Sequence, residues 1–408
     1  MSNQQDTKKK NPNVPNLRFS GFTEEWQIES ADSLFEVIPN NTISRDGLSY
    51  ESGTWKNIHY GDILTLFPTL LDVNDARVPY ISSASFNSKT ALSSGDVVIA
   101  DTAEDYTAGK ALEVTGAEDI KTVPGLHTIA CHPTRTFASG FLGYYLNSYA
   151  YRERIKPFIQ GIKVYSISKG NFLRSALSFP SIPEQAKIGC FLSLLDQRIE
   201  VQNKIIEELR SYKKSTFGLL TSQIYRFEKI AIGHLIEEYD ERTIHSNEYP
   251  VLSSTSDGVY LQKDFFKKDH SSEDTTGYKK IPYGYCVYRS MSDTGRFYFN
   301  IQNRVPMGIV SPAYPVFRVR EEAASYLTLF LNCDPKVIND LYKQKAGGTR
   351  FALPLSRIKR VAIPWPDEHF RKRVCDLFLA IERRLENESN LLRSFLLQKQ
   401  FLLANMFI

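Results

Sequence analysis

The chain has 408 residues, of which 42% are hydrophobic and 24% are charged. This length exceeds one ordinary hydrophobic core, and the composition is that of a folded protein, which excludes a long disordered or fibrous chain. The net charge of +4 and the isoelectric point near 8.6 are compatible with nucleic acid. They exclude a protein that binds DNA by charge density alone.

The N-terminal residues 1–12 are polar and include the run Lys8–Lys10, so we predict a disordered tail. The tail lacks the apolar segment of a signal peptide, and no run of about 18 apolar residues occurs in the chain. The five cysteines are far apart, which is typical of a reduced compartment. His127, Cys131 and His132 fit no zinc spacing, so no metal is predicted. We expect a cytoplasmic protein without membrane contact.

After the tail, two globular modules alternate with two helical regions. The predicted boundaries are 13–180 and 225–366 for the modules, and 181–224 and 367–408 for the helical regions. Short strand patterns and Ser/Thr/Gly/Asn-rich loops recur in both modules, at residues 95–100, 110–115, 281–288 and 315–319. The sequence therefore predicts an α+β fold.

The second half of the chain repeats the first. With an offset of 186 positions, Gly161 aligns with Gly347 and Pro180 with Pro366 without a gap, and the match continues into the helical regions as far as Lys213 with Lys399. Upstream, residues 95–99 resemble 284–288, residues 142–147 resemble 327–332, and residues 26–34 resemble 227–235. The matches predict two pseudo-symmetric modules joined by two long helices.

Each helical region has an apolar stripe at three- and four-residue spacing, which is typical of a coiled-coil seam. The fifth position is polar in both regions, Gln202 and Glu388, as in seams whose register is fixed by a polar residue. About 40 residues give a rod of roughly 60 Å. We predict that the two helices pair as a coiled coil, within one chain or between chains. The apolar seam positions are Ile188, Leu192, Leu195, Ile199, Ile206 and Leu209, and Val374, Phe378, Ile381, Leu385, Leu392 and Phe395.

Three short motifs resemble the specificity subunits of type I restriction-modification systems. They are the opening at residues 14–22 with Trp26, the start of the first helical region at residues 180–185, and the ending at residues 399–403. The order of modules and helices resembles that family over nearly the whole chain. The chain departs from the pattern at residues 364–369, where Pro-x-x-Pro-Glu-Gln is replaced by Pro-Trp-Pro-Asp-Glu-His.

The resemblance implies that each module is a target-recognition domain for one half of a bipartite site in double-stranded DNA. It also implies that the antiparallel helices set the unread spacer. The implied partners are two methyltransferase subunits and, through them, two restriction subunits. S-adenosylmethionine, ATP and magnesium would then bind these partners, and this chain would hold no cofactor.

A catalytic role is the rival interpretation. Residues 311–314, Ser-Pro-Ala-Tyr, resemble the Asn/Asp-Pro-Pro-Tyr pocket of adenine methyltransferases, which stacks an aromatic ring on a flipped base. The third position is Ala, however, and no glycine-rich cofactor loop or P-loop occurs. Residues 366–368 resemble part of a nuclease pattern, but the repeat places a helix start there. We therefore predict a non-catalytic chain.

DNA recognition needs side chains that contact phosphates and base edges, for which Arg, Lys, Asn and Gln are suited. Glycine beside a cation also favours a close approach to phosphate, as in the aligned loops 160–163 and 345–350. The predicted DNA-binding residues are Arg45, Tyr50, Lys56, Asn57, Lys89, Tyr106 and Lys163 in the first half, and Arg289, Asp293, Arg296, Asn303, Lys345, Thr349 and Arg350 in the second.

Two alternatives remain open at this point. The chain could be the specificity chain of a type II-like methyltransferase or restriction system, or a DNA-binding protein unrelated to modification. An adjacent gene that encodes an Asn-Pro-Pro-Tyr methyltransferase would favour a modification system. The target sequence, the spacer length and the presence of restriction subunits do not follow from these residues.

Overall fold

The structure is a computed structural model that describes residues 13–256, 258–262, 274–320, 323–344 and 351–408. The chain folds as two compact units. The first unit comprises Met1–Asn203 with Asn390–Ile408, and the second comprises Lys204–Ser389. Each unit thus holds one predicted module together with parts of both helical regions. The predicted tail 1–12 lies outside the described residues.

The strands are short and fall into two sets, as the repeated pattern predicted. The first set is β1 (Gln27–Ser30), β2 (Phe35–Ile38), β3 (Leu48–Ser49), β4 (Lys56–Ile58), β5 (Leu70–Asp72), β6 (Tyr80–Ile81), β7 (Val97–Ala100), β8 (Thr102–Ala103), β9 (Ala111–Thr115), β10 (Thr122–Pro124), β11 (Thr128–Pro133), β12 (Tyr165–Ser166) and β13 (Ala176–Phe179). The second set is β14 (Lys229–Ala231), β15 (Ile236–Tyr239), β16 (Leu252–Thr255), β17 (Gly258–Leu261), β18 (Lys279–Pro282), β19 (Cys286–Tyr288), β20 (Met291–Ser292), β21 (Phe299–Ile301), β22 (Met307–Val310), β23 (Val316–Val319), β24 (Phe351–Ala352) and β25 (Ala362–Pro364).

Two helices are much longer than the others and are called the first long helix (Ile182–Ile224) and the second long helix (Glu368–Asn405). Among the described residues, no helix is both long enough and apolar enough to cross a membrane. The shorter α-helices are Ala31–Leu34, Tyr60–Thr65, Phe141–Leu146, Tyr149–Ile155, Lys169–Leu173, Ile232–Leu235, Ala324–Cys333, Pro335–Lys343 and Leu355–Ile358.

The main sheets of the two units share one order over four strands, and β5 adds a fifth strand to the first sheet. In the first unit the order is β2-β11-β7-β9-β5, and in the second it is β15-β23-β19-β21. A further antiparallel pair, β1 with β13 or β14 with β25, joins the start of each module to the segment before a long helix. The same arrangement in both units confirms the duplication inferred from sequence, and the mixed sheets and helices confirm the α+β class.

One hydrogen-bonding device also occurs in both units. Asn147, at the end of a short helix, accepts from the backbone N–H of Ala111 and donates to its carbonyl, at 3.2 and 2.7 Å. Asn332 makes the same two bonds with Phe299, at 2.9 and 2.7 Å. Because a side-chain amide presents both a donor and an acceptor, it satisfies the free backbone groups of a strand residue as a neighbouring strand would. The aligned asparagines therefore attach helix to sheet in the same way.

The apolar stripes predicted for the long helices are their buried faces. Ile188, Leu192, Val374 and Phe378 are each at most 4% exposed. The polar fifth positions are buried as well, at 5% for Gln202 and 6% for Glu388. The remaining predicted seam positions are buried or half-buried, which confirms the heptad pattern: Leu195, Ile199, Ile206, Leu209, Ile381, Leu385, Leu392 and Phe395.

Within each unit the segments of the two long helices run antiparallel. In the first unit Asp196 pairs with Lys399, and the guanidinium of Arg198 lies 4.9 Å from the ring centre of Phe395. Further along the first long helix the contacts thus move back along the second. In the second unit Lys213 pairs with Glu382 and the ring of Phe217 lies 5.7 Å from that of Phe378. The predicted antiparallel coiled coil therefore forms within one chain.

One predicted strand and one further apolar run are each interrupted by a turn. Residues 281–288 contain the end of β18 and all of β19, separated by a turn in which Gly284 has a φ of 82°. The run 123–132 is likewise divided between β10 and β11 by a turn in which His127 has a φ of 55°. A left-handed backbone cannot continue a strand. Each run resembles a single strand because residues on both sides of its turn are buried. The hydrophobic pattern does not show the turn between them.

The first unit also contains a buried carboxylate at a helix start. Glu113 on β9 is 2% exposed and accepts hydrogen bonds from the backbone N–H groups of Gly140 and Gly143, at 2.6 and 3.0 Å. Burial raises the pKa of Glu113 to about 7, although these N–H groups favour its ionised form. The carboxyl group caps the helix Phe141–Leu146, whose first N–H groups have no intrahelical partner.

Candidate nucleic-acid interface

A two-stranded sheet brings together predicted DNA-binding residues that are far apart in sequence. Strand β8 pairs antiparallel with β12, so that Ala103 lies opposite Tyr165. The rings of Tyr106 and Tyr165 consequently lie with their centres 4.4 Å apart. Their hydroxyl groups hydrogen-bond, which raises the pKa of Tyr165. Lys163 is exposed in the adjoining loop. Tyr106 and Lys163 thus belong to one surface.

The second unit has the same element at the equivalent place. Strand β20 pairs antiparallel with β24, so that Ser292 lies opposite Phe351. The predicted residue Asp293 is exposed directly after β20. The three predicted residues of the loop that precedes β24, namely Lys345, Thr349 and Arg350, lie outside the described residues. Both units therefore pair a segment that follows a central strand with the segment leading toward a long helix.

Arg296 is partly engaged inside the second unit. Its guanidinium donates to the carbonyl of Asn332 at 2.5 Å and lies 5.4 Å from the ring centre of Tyr298. Arg296 also lines a cavity of about 580 Å³, together with Arg210 and Lys214 of the first long helix. Arg210 and Lys214 were not among the predicted DNA-binding residues. The helical periodicity shows that they are exposed, but it does not show which loop they approach.

The other predicted residues of the first module lie around a second sheet, β10-β4-β6-β3. Tyr50 is 57% exposed and Lys89 is exposed as well, so both remain available for contacts. Arg45 binds Asp62 through two hydrogen bonds of 2.7 and 2.9 Å, which raise the pKa of Arg45. Its guanidinium is held in place by an internal partner, although the side chain is 46% exposed.

Two of the predicted DNA contacts are wrong, because Lys56 and Asn57 are buried on β4. The Lys56 ammonium donates to the carbonyls of Val73 and Asp75, at 2.7 and 3.0 Å, and burial lowers its pKa. Asn57 has no exposed surface, and its side-chain oxygen accepts from Asn41. Strand β4 pairs on both edges, with β10 and β6. Both polar side chains therefore serve the fold of the module.

Two more predicted residues lie apart from the paired loops of the second unit. Arg289 is exposed immediately after β19. Asn303 is exposed but lines a cavity of about 390 Å³ with Asp376 and Glu382 of the second long helix. The structure therefore does not group Asn303 with Asp293 and Arg296, because it follows the far end of β21.

The methyltransferase-like segment 311–314 is a turn that rests on the core. The N–H of Tyr314 donates to the carbonyl of Ser311 at 2.9 Å, and the carbonyl of Ala313 accepts from the Ser290 hydroxyl. The Tyr314 ring packs against the cluster that contains Val287 and Val310, and burial raises its pKa. This packing accounts for the tyrosine without a base-stacking role.

The histidines and cysteine considered for a metal have separate partners. Cys131 is buried in β11, and burial raises the pKa of its thiol to about 12. His132 pairs with the buried Asp96 at 2.6 Å, and His127 lies 3.5 Å from Asp101. Among the residues that the structure describes, no His/Cys/Asp/Glu group has a metal-binding arrangement.

A separate apolar surface lies on the long helices of the first unit. It surrounds a cavity of about 630 Å³ whose apolar lining includes Phe191, Leu194, Val201, Leu391 and Phe395. Leu194 and Val201 are 53% and 54% exposed, beside the buried seam. Large apolar side chains that remain exposed in one patch mark an interaction surface more often than scattered ones do. We call these five residues the helix-face patch.

Comparison with known proteins agrees with this architecture. Residues 23–211 match the family described as "Type I restriction modification DNA specificity domain". A search of curated proteins found no match. The crystal structure of a type I restriction-modification S subunit from M. genitalium is similar, with 14% identity, a TM-score of 0.59, and coverage of 97% of this chain and 99% of that one.

A second structure, from work on complex assembly and conformational transition of the type I R-M system, has 14% identity and a TM-score of 0.51, over 93% of this chain and 96% of that one. At this identity the structural likeness shows a shared fold, while the family match also covers the first module and the start of the first long helix. Residues 23–211 thus belong to the family of type I restriction modification DNA specificity domains, and the duplicated modules and antiparallel helices share the fold of these two structures.

Proposed function

We propose that each module reads one half of a bipartite DNA target and that the chain performs no chemistry itself. The observation that carries this proposal is the duplication of a surface, not only of a core. In both units a two-stranded sheet presents the segment after a central strand beside the segment before a long helix. Two equivalent surfaces on two similar modules are suited to two half-sites of one kind of ligand.

Charge and side-chain type favour DNA as that ligand. Four predicted residues are exposed and are suited to phosphate or base contacts, namely Lys163, Tyr50, Lys89 and Arg289. The family match over residues 23–211 supports the same interpretation for the first module. A mildly basic chain also fits a protein that depends on specific contacts.

We further propose that the helix-face patch binds one methyltransferase subunit and that a second methyltransferase subunit binds elsewhere on the chain. Helical segments that expose Leu194 and Val201 next to a paired seam can accept another amphipathic helix by the same ridge-and-groove packing. Restriction subunits would join through these partners. S-adenosylmethionine, ATP and magnesium would supply their chemistry on the partner subunits in the cytoplasm.

Exchange of residues 13–180 for the aligned module of a relative tests the recognition proposal. The full chain would be co-expressed with its methyltransferase subunits, and the methylated sites would be mapped by methylome sequencing. We expect one half-site to change and the other to persist, because each module reads separately. Loss of affinity for the original site should reach about 10³-fold or more. A simultaneous change of both half-sites would contradict the proposal, as would methyl transfer by the isolated chain.

The substitution Leu194→Asp tests the docking proposal. A charge in an apolar contact loses hydrophobic burial and needs desolvation, so we expect binding of the methyltransferase subunit to weaken by about 100-fold or more. Affinity would be measured by isothermal titration calorimetry. Ala186→Asp, at an exposed position of the same helix outside the patch, is the matched control. Equal affinities for the two variants would remove the helix-face patch from the interface.

A further inference from the structure

A hairpin in the first module holds two apolar side chains in solvent. This hairpin, residues 160–166, is called the Gly161 hairpin. Ile162 is 92% exposed and Val164 is 56% exposed, with the exposed Lys163 between them. Exposed apolar surface costs roughly 25 cal/mol per Å² relative to its burial. Nothing in the described parts of the chain covers these side chains, so their burial requires a binding partner.

The Gly161 hairpin is held in one conformation rather than extended loosely. Gln160 and Ser166 exchange two backbone hydrogen bonds of 2.9 and 2.8 Å. Gly161 has a φ of 135°, and a Cβ at this residue would lie 1.8 Å from the carbonyl oxygen of Val164, so only glycine fits the turn. The fixed turn presents Ile162 at the tip.

The base of the hairpin is supported from the side. Tyr165 packs on the Tyr106 ring, and the guanidinium of the half-buried Arg152 donates to the Tyr106 carbonyl. Strand β12 is also paired with β8. A tip supported by a ring pair, the Arg152 hydrogen bond and a strand pair loses little conformational entropy on binding.

We propose that Ile162, assisted by Val164, inserts as an apolar wedge between base pairs of the half-site that the first module reads, while Lys163 contacts an adjacent phosphate. This inference rests on the proposed DNA-reading function and adds a deformation step to it. Apolar wedges that partly unstack a base step are an established way for proteins to bend DNA, and the bend permits further contacts. A cation beside the wedge favours a polyanion over an apolar protein surface.

The wedge belongs to only one module. In the aligned loop of the second module, Gly348 and Arg350 occupy the positions of Ile162 and Val164. That loop has no apolar side chain to insert at these positions. We therefore expect the DNA to be unstacked in one half-site and not in the other.

The test uses the full chain bound to its methyltransferase subunits and a duplex with the target found by methylome sequencing. The fluorescent base 2-aminopurine, whose emission rises on unstacking, is placed in turn at positions of both half-sites other than the methylated base. For the natural chain we expect increased emission at one step of the first module's half-site. Ile162→Ser should return that emission to the level of free duplex and weaken binding by about 10-fold or more.

Two further variants complete the design. Ile162→Leu keeps an apolar tip and should preserve the signal. Ile244→Ser replaces an isoleucine of the second module that is 75% exposed, and it should change neither emission nor affinity. Because Ile162 and Ile244 are both in solvent, neither serine variant should disturb folding, which circular dichroism would verify.

The outcomes separate the wedge from the proposed function. If the natural complex discriminates its target but shows no localised emission, or if Ile162→Ser keeps it, the wedge is wrong and the DNA-reading function stands. If Ile162→Ser releases a methyltransferase subunit and leaves DNA affinity unchanged, the hairpin binds protein and the wedge is again wrong. A natural complex that does not discriminate target from random DNA would overturn both proposals.

Discussion

The starts of the two long helices are equivalent in position but are held by different side-chain contacts. At the first helix, Arg18 binds the buried Glu184 through two hydrogen bonds of 2.7 Å. At the second, Phe370 occupies the position aligned with Glu184, and its ring lies 5.2 Å from that of Phe227. In both, the next residue donates to a proline carbonyl: Gln185 to Pro180 and Arg371 to Pro366. The duplication thus preserved the hydrogen bond to proline. It did not preserve the contact between the helix start and the beginning of the module, which is called the tether below.

The position of a helix start can therefore persist while the side-chain contacts that stabilise it change. The proline carbonyls accept a hydrogen bond in both copies, because they lie at the same place before each helix and need a donor. The tether has no such requirement, so an ion pair and an aromatic contact both serve. A charged tether nevertheless differs from an aromatic one in how it fails, because removal of one partner leaves a buried charge.

The largest expected effect is therefore at Arg18. Arg18→Ala leaves the Glu184 side chain, which is 1% exposed, without its cation, and should lower the free energy of unfolding by about 3 kcal/mol or more. Phe370→Ala removes a half-buried ring and should cost about 2 kcal/mol. Urea denaturation of the full chain measures both, and hydrogen exchange assigns each loss to a unit.

The double variant Arg18→Met with Glu184→Gln is the control for this comparison. It removes both charges and should recover part of the stability lost in Arg18→Ala, because no buried charge remains. A cost below about 1 kcal/mol for Arg18→Ala would mean that the pair behaves like an exposed ion pair.

A second difference concerns the strand beside each short helix. Glu113 on β9 stands where the second unit has Ile301 on β21, two residues after the strand position bound by Asn147 or Asn332. Since burial raises the pKa of Glu113, the folded state binds its proton more tightly than the unfolded chain does. The stabilisation from this proton is complete below the ordinary pKa and is lost as the pH rises through about 7.

We therefore expect Glu113→Gln to reduce the fall in stability of the first unit between pH 5 and pH 8, by up to about 3 kcal/mol. Chemical denaturation at the two pH values measures this fall, and the exposed Glu51→Gln is the matched control. Hydrogen exchange should show no corresponding change in the second unit, where the position is Ile301. An unchanged pH profile in Glu113→Gln would show that Glu113 is already ionised at pH 5.

The smallest expected effect is at the repeated ion pairs of the long helices. Asp196 and Glu382 are aligned, as are their partners Lys399 and Lys213. Asp196 also accepts from the Tyr144 hydroxyl at 2.9 Å, and its side chain is 21% exposed compared with 53% for Glu382. Asp196→Ala should therefore cost about 1–1.5 kcal/mol, and Glu382→Ala less than about 1 kcal/mol.

Thermal unfolding in low and high salt distinguishes the two contributions. Added salt should reduce the cost of both variants, because it screens ion pairs, but it should not remove the hydroxyl contribution of Asp196. Asp196→Asn keeps an acceptor for Tyr144 and should recover part of the loss. Equal costs for Asp196→Ala and Glu382→Ala would indicate that the Tyr144 bond adds nothing measurable.

Much of the architecture could be predicted from local pattern. The offset of 186 positions and the three- and four-residue spacing revealed two modules and two long helices, because periodic burial leaves a periodic sequence. The same reasoning failed at Lys56 and Asn57, which look like exposed polar residues in a loop. Their burial depends on β10 and β6, which pair with β4 from distant parts of the chain.

The duplication, the seam and the α+β class could be inferred from the amino-acid sequence, since they follow from spacing between neighbours on one helix or strand. Which polar residues meet depends on the tertiary structure. It brought Tyr106 beside the Gly161 hairpin through the pairing of β8 with β12, and it placed Glu113 under the N–H groups of Gly140 and Gly143. Such contacts join segments separated by tens of residues, and their hydrogen bonds and burial arise only when the chain has folded.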